Sequence, residues 1–453
     1  MRIRLNIPLT VREIIKATEA AQYDAKLKDV VTHVTTDSRE VCQGDLFFAL
    51  SGEFFDGENF VSEAKSKGAI CISKFIGNNT ICVKDTSLAL QNLAKYYKTR
   101  LKSLKYTVGI TGSVGKTTTK EFLKIIASEE YKTHATDKNF NNHIGVPLTI
   151  LSSPADTELL IIEMGMNHMG EIRALSECAS PDLAIITNIG TAHIGNLGSR
   201  EKIAEAKLEI LCGMKNGKLI LPFGEPLLSG QKNASFFSQK NPLSDIYIIY
   251  KEEKCEITYL DRKYMCDFEP RGEHNVECLC AAVCAAVHLG INLERVIGRI
   301  SKISDKNTRQ NIKSVGNFYI LEDYYNASLE SVTASFDFLN YLTGYTKKSA
   351  LLGTVKELGE KSEEIHFLIG SSAAKHGLCT LYIFGEYAED VRRGALEFGM
   401  AENQIFVNED INDPRTTAEE IAAHIAAGEI ILFKASHRTG LDRIAHILED
   451  VIK

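Results

Sequence analysis

The stretch GITGSVGKTTTKEF, from Gly109 to Phe122, carries the residue types of a phosphate-binding loop. The P-loop pattern runs G-x-x-x-x-G-K-[ST]. Gly115, Lys116 and Thr117 supply its end, and Ile110 stands where its first glycine would be. Glycines at 112 and 115 free the backbone, so that Gly112, Ser113, Val114, Gly115, Lys116, Thr117 and Thr118 can turn amides towards phosphate oxygens at a helix N-terminus. The Lys116 ammonium can then reach the terminal phosphates, and the Thr117 hydroxyl can join a Mg²⁺ shell. A glycine turn with a chance Lys-Thr is the competing reading. The strand-like YTVGIT before the loop and the helical KTTTKEFLKIIASEE after it favour phosphate.

Further residues could serve the same chemistry. Glu163 ends the apolar run ELLIIE, and the ends of parallel strands are where ligand-binding groups are presented. His193 follows DLAIITNIG in a glycine-rich turn. Lys207, in AEAKLEI, reads by itself as a solvated helix lysine. Cys278, Cys280 and Cys284, flanked by His274 and His288, raise a metal site. C-x-C-x3-C is not a usual zinc spacing, and the small apolar residues around it read as a tightly packed helix.

The 453 residues allow two to four domains on a prior of about 150 residues each. Hydrophobic residues make up 44% and charged residues 25%, enough apolar side chain for several cores. A formal net charge of -7 excludes a general nucleic-acid binder, which needs a basic excess to neutralise phosphates. The first twenty residues do not read as a signal peptide, and no apolar run approaches the length of a membrane span. The 11 cysteines are scattered without a framework, as in a reducing compartment. A cytoplasmic protein without membrane or nucleic-acid partners is expected, and a monomer.

Two polar, basic stretches, KTRLKSLK (98–105) and DKNTRQNIKS (305–314), read as linkers. They predict three domains, 1–104, 105–312 and 313–453, of ordinary size. The first mixes short strands such as DLFFAL with an amphipathic helix, NFVSEAKSKGA, ending at Gly68. The second carries ELLIIEMG and DLAIITNIG, continuous apolar runs that fit strands buried on both faces of a mainly parallel sheet. In the third, NFYILED, SALLG, TLYIFG, QIFV and EIILFKAS alternate with helical segments. The fold class is therefore α/β: a small α/β N-terminal domain, a central P-loop ATPase-like domain and a Rossmann-like, doubly wound C-terminal domain.

TGSVGKTTTKE resembles the ATP-binding loop of the Mur ligase family, usually T-G-T-N-G-K-T-T, which normally lacks the first Walker glycine. The likeness continues in order. TDSREVCQGDLFFALSGEFFDGENFVSEAKSKGA is similar to the family's UDP-substrate domain, and NFNNHIGVPLTIL to the block after the loop. EMGMNHMGEI and TNIGTAHIGNLGS resemble the magnesium-binding blocks, EDYYNASLES resembles D-D-x-Y-N-A-N-P-x-S, and KELGEKSEEIH and FKASHRTGLD resemble two C-terminal blocks. The blocks look most like the MurF type. That resemblance implies ATP, two Mg²⁺ ions, UDP-N-acetylmuramoyl-tripeptide and D-alanyl-D-alanine, joined through an acyl phosphate. It implies metal ligands at Thr117, Glu163, His193 and Lys207, the last carbamylated. It gives Lys116, His193, Lys207 and Arg309 catalytic roles, with Arg309 facing the γ-phosphate. It places His274 and Asn275 near the adenine, Asp323, Tyr325 and Asn326 against the nucleotide on closure, and Ser38, Arg39, Asn141 and Asn142 at the UDP-substrate.

The sequence departs from the family at Cys278, where an asparagine is usual, at Glu322, at Ser328-Leu329 in place of Asn-Pro, at Thr354, and at Ala435 and His437. The first group bears on the adenine site and the C-terminal group on the incoming amine. MurE-type chemistry is the nearest rival, but its D-N-P-R is absent and DYYN replaces D-Y-A-H. The departures also permit a divergent amide ligase with a different amino substrate. A non-enzymatic nucleotide switch would need the phosphate loop but not the full set of metal positions.

Overall fold

The computed structural model describes residues 1–453 except 53–54, 252–253, 271, 304–310, 325, 437–438 and 453. Three sheets follow one another along the chain. In the first, the parallel strands Val30–Thr35, Leu46–Phe48, Ile70–Ser73 and Thr80–Cys82 are flanked by antiparallel Arg2–Thr10 and Gln22–Asp24. The second has nine strands. Seven are parallel, and the hairpin Lys254–Tyr259 and Arg262–Cys266 extends one edge antiparallel. The third has five parallel strands in the order Phe318–Glu322, Ile430–Lys434, Lys348–Gly353, Leu381–Phe384, Ile405–Asn408, with Asn311–Val315 antiparallel outside the first.

The apolar runs form the strands expected of them. Leu159–Glu163 and Leu183–Ile186 are buried at every position, because helices cover both faces of a parallel sheet. Helix Glu273–His288 packs on helix Lys116–Ala127. Its alanines and cysteines are small enough for close approach, and Cys278, Cys280 and Cys284 are all buried in it.

Both linker readings need correction. Lys98, Thr99 and Arg100 are the last residues of helix Thr86–Arg100, which shortens the first connection to 101–105. Basic residues there suit the negative end of the helix dipole, so charge does not mark a linker. Of the second stretch, 304–310 lie outside the described residues, and Asn311–Ser314 belong to the edge strand Asn311–Val315. An edge strand with both faces largely exposed has no apolar alternation to betray it.

Helix Thr86–Arg100 joins the first sheet to the second. The buried Tyr97 hydroxyl accepts from the Ile7 amide at 3.0 Å and donates to the Ser153 carbonyl at 3.3 Å. Asn6 donates to the Ser152 carbonyl at 3.0 Å, and Lys98 donates to the carbonyls of Ala179 and Ser180. Tyr97→Phe keeps the ring but strands the Ile7 amide. We expect it to cost about 1–3 kcal/mol and to lower the melting temperature in calorimetry, with an unchanged circular dichroism spectrum at room temperature.

Candidate functional site

Strand Tyr106–Thr111 lies inside the second sheet, between Leu183–Ile186 and Leu159–Glu163. The loop after it turns at Gly112 (φ +148°) and Gly115 (φ +81°) into helix Lys116–Ala127. A Cβ on Gly112 would sit 1.8 Å from Thr187 Oγ1, so only glycine fits. The neighbouring strand clamps the loop. Asn188 Oδ1 accepts from the Ser113 and Val114 amides, each at 3.0 Å, and Ser113 Oγ accepts from the Gly190 amide at 2.9 Å. Gly115 is the N-cap and has no side chain to satisfy the first helical turn, which leaves that end suited to an anion. The Lys116 ammonium folds over the loop, donating to the carbonyls of Gly112 (2.6 Å) and Ser113 (3.2 Å).

The loop borders a cavity of about 1280 Å³. Glu163 reaches it from the end of its strand and is 1% exposed. One carboxylate oxygen accepts from Thr117 Oγ1 and the other from Asn141 Nδ2, both at 2.9 Å. These donors are neutral, and no cation pairs with Glu163 among the described residues. A buried carboxylate beside a hydroxyl and a phosphate loop is a fitting donor set for a hard divalent cation. Lys207, on helix Arg200–Leu208, is also 1% exposed and lines the same cavity. It makes no hydrogen bond or ion pair among the described residues. Burial, and then the Lys116 charge, push its pKa well below the usual lysine range, against a smaller pull from Glu330. Lys207 is thus a buried lysine with a lowered pKa on the cavity wall, not the solvated helix lysine its spacing suggests.

His193 (φ +65°) caps the short helix Ile194–Leu197 at the cavity wall. Its Nδ1 lies 2.5 Å from Glu357 Oε2, a residue of the third sheet's unit. At the far wall, helix Glu273–His288 presents His274 and Asn275. Burial holds the His274 imidazole neutral, at a pKa of about 4, and its Nδ1 is buried without a partner among the described residues. Burial also raises the Glu277 carboxyl to about 7. Cys278 lies beneath the loop, and a Cβ on Gly115 would come 2.9 Å from its sulfur.

The third unit closes the cavity. Asp323 is tied to Lys434 (3.0 Å) and accepts from Ser335 Oγ (2.6 Å). Lys434 also donates to the Asn326 carbonyl at 2.9 Å, while the Asn326 side chain accepts from the adjacent Ala327 amide. Glu330 crosses to the second unit, accepting from the Thr191 amide at 2.7 Å and its hydroxyl at 3.2 Å.

One cavity therefore collects the loop residues Gly112 to Thr118, Asn141, Asn142, Glu163, His193, Lys207, His274, Asn275, Asp323 and Asn326. Asn142 also caps helix Gly145–Leu151, accepting from the Ile144 and Gly145 amides. Ser38 and Arg39 do not line it. Ser38 donates to Glu63, and Arg39 forms a two-pronged pair with Asp37 on the first sheet's unit. Arg309 and Tyr325 lie outside the described residues. Asn188, Glu330, Glu357 and Lys434 lie inside blocks that carry the family likeness, but nothing in those blocks assigns them a role. Asn188 and Lys434 stand just after or at the end of parallel strands, as Glu163 does, and that rule alone would find them. Removing the Asn188 side-chain acceptor orphans the Val114 amide and leaves the Ser113 amide only the Asn188 backbone carbonyl at 3.3 Å. Asn188→Ala should lower kcat/KM for ATP about tenfold or more in steady-state kinetics, the size of one lost hydrogen bond to a buried group.

Two family models match the chain: Mur ligase middle domain over residues 110–286, and Mur ligase family, catalytic domain, over residues 30–96. The UDP-N-acetylmuramoyl-tripeptide–D-alanyl-D-alanine ligase of Bacillus subtilis is 34% identical over 452 residues, covering 97% of this chain and 98% of that protein. The enzyme of the same name from Synechocystis is 32% identical, covering 91% of each chain. Among solved structures, MurF from Acinetobacter baumannii superposes with a TM-score of 0.86 at 28% identity, over 98% of this chain and 99% of that one. MurF from Thermotoga maritima in complex with ADP gives 0.79 at 29% identity, over 92% and 97%. A shared loop, a shared architecture and 34% identity along almost all of both chains lead to one assignment: this chain belongs to the Mur ligase family, in its MurF branch.

Proposed function

We propose that the protein joins D-alanyl-D-alanine to UDP-N-acetylmuramoyl-tripeptide using ATP. The observation that carries this reading is the convergence of a phosphate loop, a buried carboxylate, a buried lysine and a histidine on one cavity closed by a third unit. A carboxylate does not condense with an amine in water, because oxide is a poor leaving group. A carboxylate oxygen of the tripeptide attacks the γ-phosphorus and ADP leaves. The amine then adds to the acyl carbon, phosphate leaves, and an amide remains. The loop amides and Lys116 hold the phosphates and offset charge as two anions approach.

Thr117 and Glu163 are the residues to hold one Mg²⁺, and His193 and Lys207 a second. When bound, the ions supply positive charge between nucleotide and carboxylate. Lys207 needs an oxygen anion for that task. A neutral amine can add its lone pair to CO₂ and lose a proton, giving a carbamate, and burial of Lys207 favours the neutral form. Arg309 is assigned to the γ-phosphate, His274 and Asn275 to the adenine end, Asp323, Tyr325 and Asn326 to the nucleotide on closure, and Ser38, Arg39, Asn141 and Asn142 to the UDP-substrate. We divide the chain at 104/105 and 312/313 into the UDP-substrate, ATP and amine-presenting domains. The eleven cysteines are unpaired thiols, which favours the reducing cytoplasm, and we take the working unit to be a monomer.

Purified protein given ATP, Mg²⁺, UDP-muramoyl-tripeptide and a panel of amines should release ADP fastest with D-alanyl-D-alanine, and Lys116→Ala should abolish release while remaining folded. Preference for a single amino acid added to a UDP-dipeptide would instead select MurE-type chemistry.

Lys207→Ala should lose ligation by at least about 100-fold and regain part of it with a small exogenous carboxylate such as formate. Full activity without rescue would exclude the carbamate.

A further inference from the structure

The His193 turn is gripped by the third unit at two levels. The Glu357 carbonyl accepts from the Gly195 amide at 2.9 Å, while the Glu357 carboxylate meets His193 Nδ1 at 2.5 Å. The fit is close: a Cβ on Gly195 would lie 2.4 Å from the Gly359 amide nitrogen. Glu357 adopts φ +67°, a left-handed conformation that side-chain-bearing residues other than Asn and Asp seldom take. Strain of this kind, of order 1–3 kcal/mol, persists where surrounding contacts over-determine the backbone. Here the contacts that hold it run across the boundary between two units.

The charge pattern sets the proton. A carboxylate accepts, so the ring nitrogen facing it, Nδ1, carries the hydrogen. In the neutral ring the lone pair is then on Nε2, and His193 lines the same cavity as the phosphate loop. A histidine that ligates a metal usually gives its other N–H to a carboxylate or carbonyl, which fixes tautomer and ring orientation.

We propose that Glu357 is a positioning residue. Docked with its unit, it fixes His193 as the Nδ1–H tautomer and so prepares Nε2 as a ligand. Closure of the third unit and readiness of the metal site are in this way one event. The inference rests on the reading of His193 as a metal-binding residue, and the experiment separates the two.

The protein is labelled with ¹⁵N-histidine, and His193 is assigned from the signal lost in His193→Ala. Long-range ¹H–¹⁵N spectra read its tautomer in wild type, Glu357→Gln and Glu357→Ala. Mn²⁺ binding in the presence of ADP is measured on the same proteins by electron paramagnetic resonance, and UDP-muramoyl-tripeptide binding by calorimetry. We expect a single Nδ1–H tautomer in wild type and a mixture in Glu357→Ala. Mn²⁺ binding at the weaker site should fall about 10–100-fold, with UDP-substrate affinity unchanged. Glu357→Gln, which keeps an acceptor oxygen, should lie between. An unchanged tautomer in Glu357→Ala would overturn the proposal. So would an altered tautomer with wild-type Mn²⁺ affinity, if His193→Ala itself weakens that affinity. Wild-type Mn²⁺ affinity in His193→Ala would overturn the metal reading of the histidine instead, and the tautomer result would still judge Glu357.

Discussion

Two ionisable groups of opposite type, Glu163 and Lys207, are each 1% exposed in one cavity, and neither has an ion-pair partner among the described residues. Burying an ion costs several kcal/mol unless something offsets it. For Lys207, burial and then the nearby Lys116 charge both disfavour the protonated form. Glu163 meets the cost in part with hydrogen bonds from Thr117 and Asn141. The cavity is thus incomplete as protein alone. Such unpaired buried groups mark functional sites more often than cores.

The rest of the architecture serves this arrangement. A parallel sheet directs all its C-terminal strand ends to one side, so Gly112, Glu163 and Asn188 emerge together although they are far apart in sequence. The clamp of Asn188 on Ser113 and Val114 holds the loop open before any phosphate arrives, so that its shape need not be created at binding. Helix Glu273–His288 supports the loop from below. Where the family usually has asparagine, Cys278 fills the space under Gly115, and burial raises its thiol to about 12. The residue acts there as a small apolar filler.

The three units are linked by few but specific contacts. Tyr97 and Lys98 tie the first to the second through backbone carbonyls. Glu330 and Glu357 tie the third to the turn Gly190–Gly195. The first set is partly buried and packs on a hydrophobic helix, as a fixed joint would. The second consists of carboxylates on backbone and ring donors at a partly exposed edge.

Local pattern in the sequence determines the strands of all three sheets' cores, the phosphate loop and the helix after it, because continuous apolar runs and glycine spacing are properties of neighbours along the chain. It also carries the family likeness, and with it Glu163, His193 and Lys207 as candidates. Their chemistry is decided only by the tertiary structure. Lys207 looks like a solvated lysine along its helix, and only its burial in the folded chain lowers its pKa. Asn188, Glu330, Glu357 and Lys434 lie inside family blocks, but their roles leave no local mark, because each acts on a residue brought near by another element. The edge strand Asn311–Val315 reads as a linker because half-exposed backbone pairing leaves no apolar period. Hydrophobic order is written locally. Burial, protonation and contacts between units exist only once the chain has brought distant residues into one space.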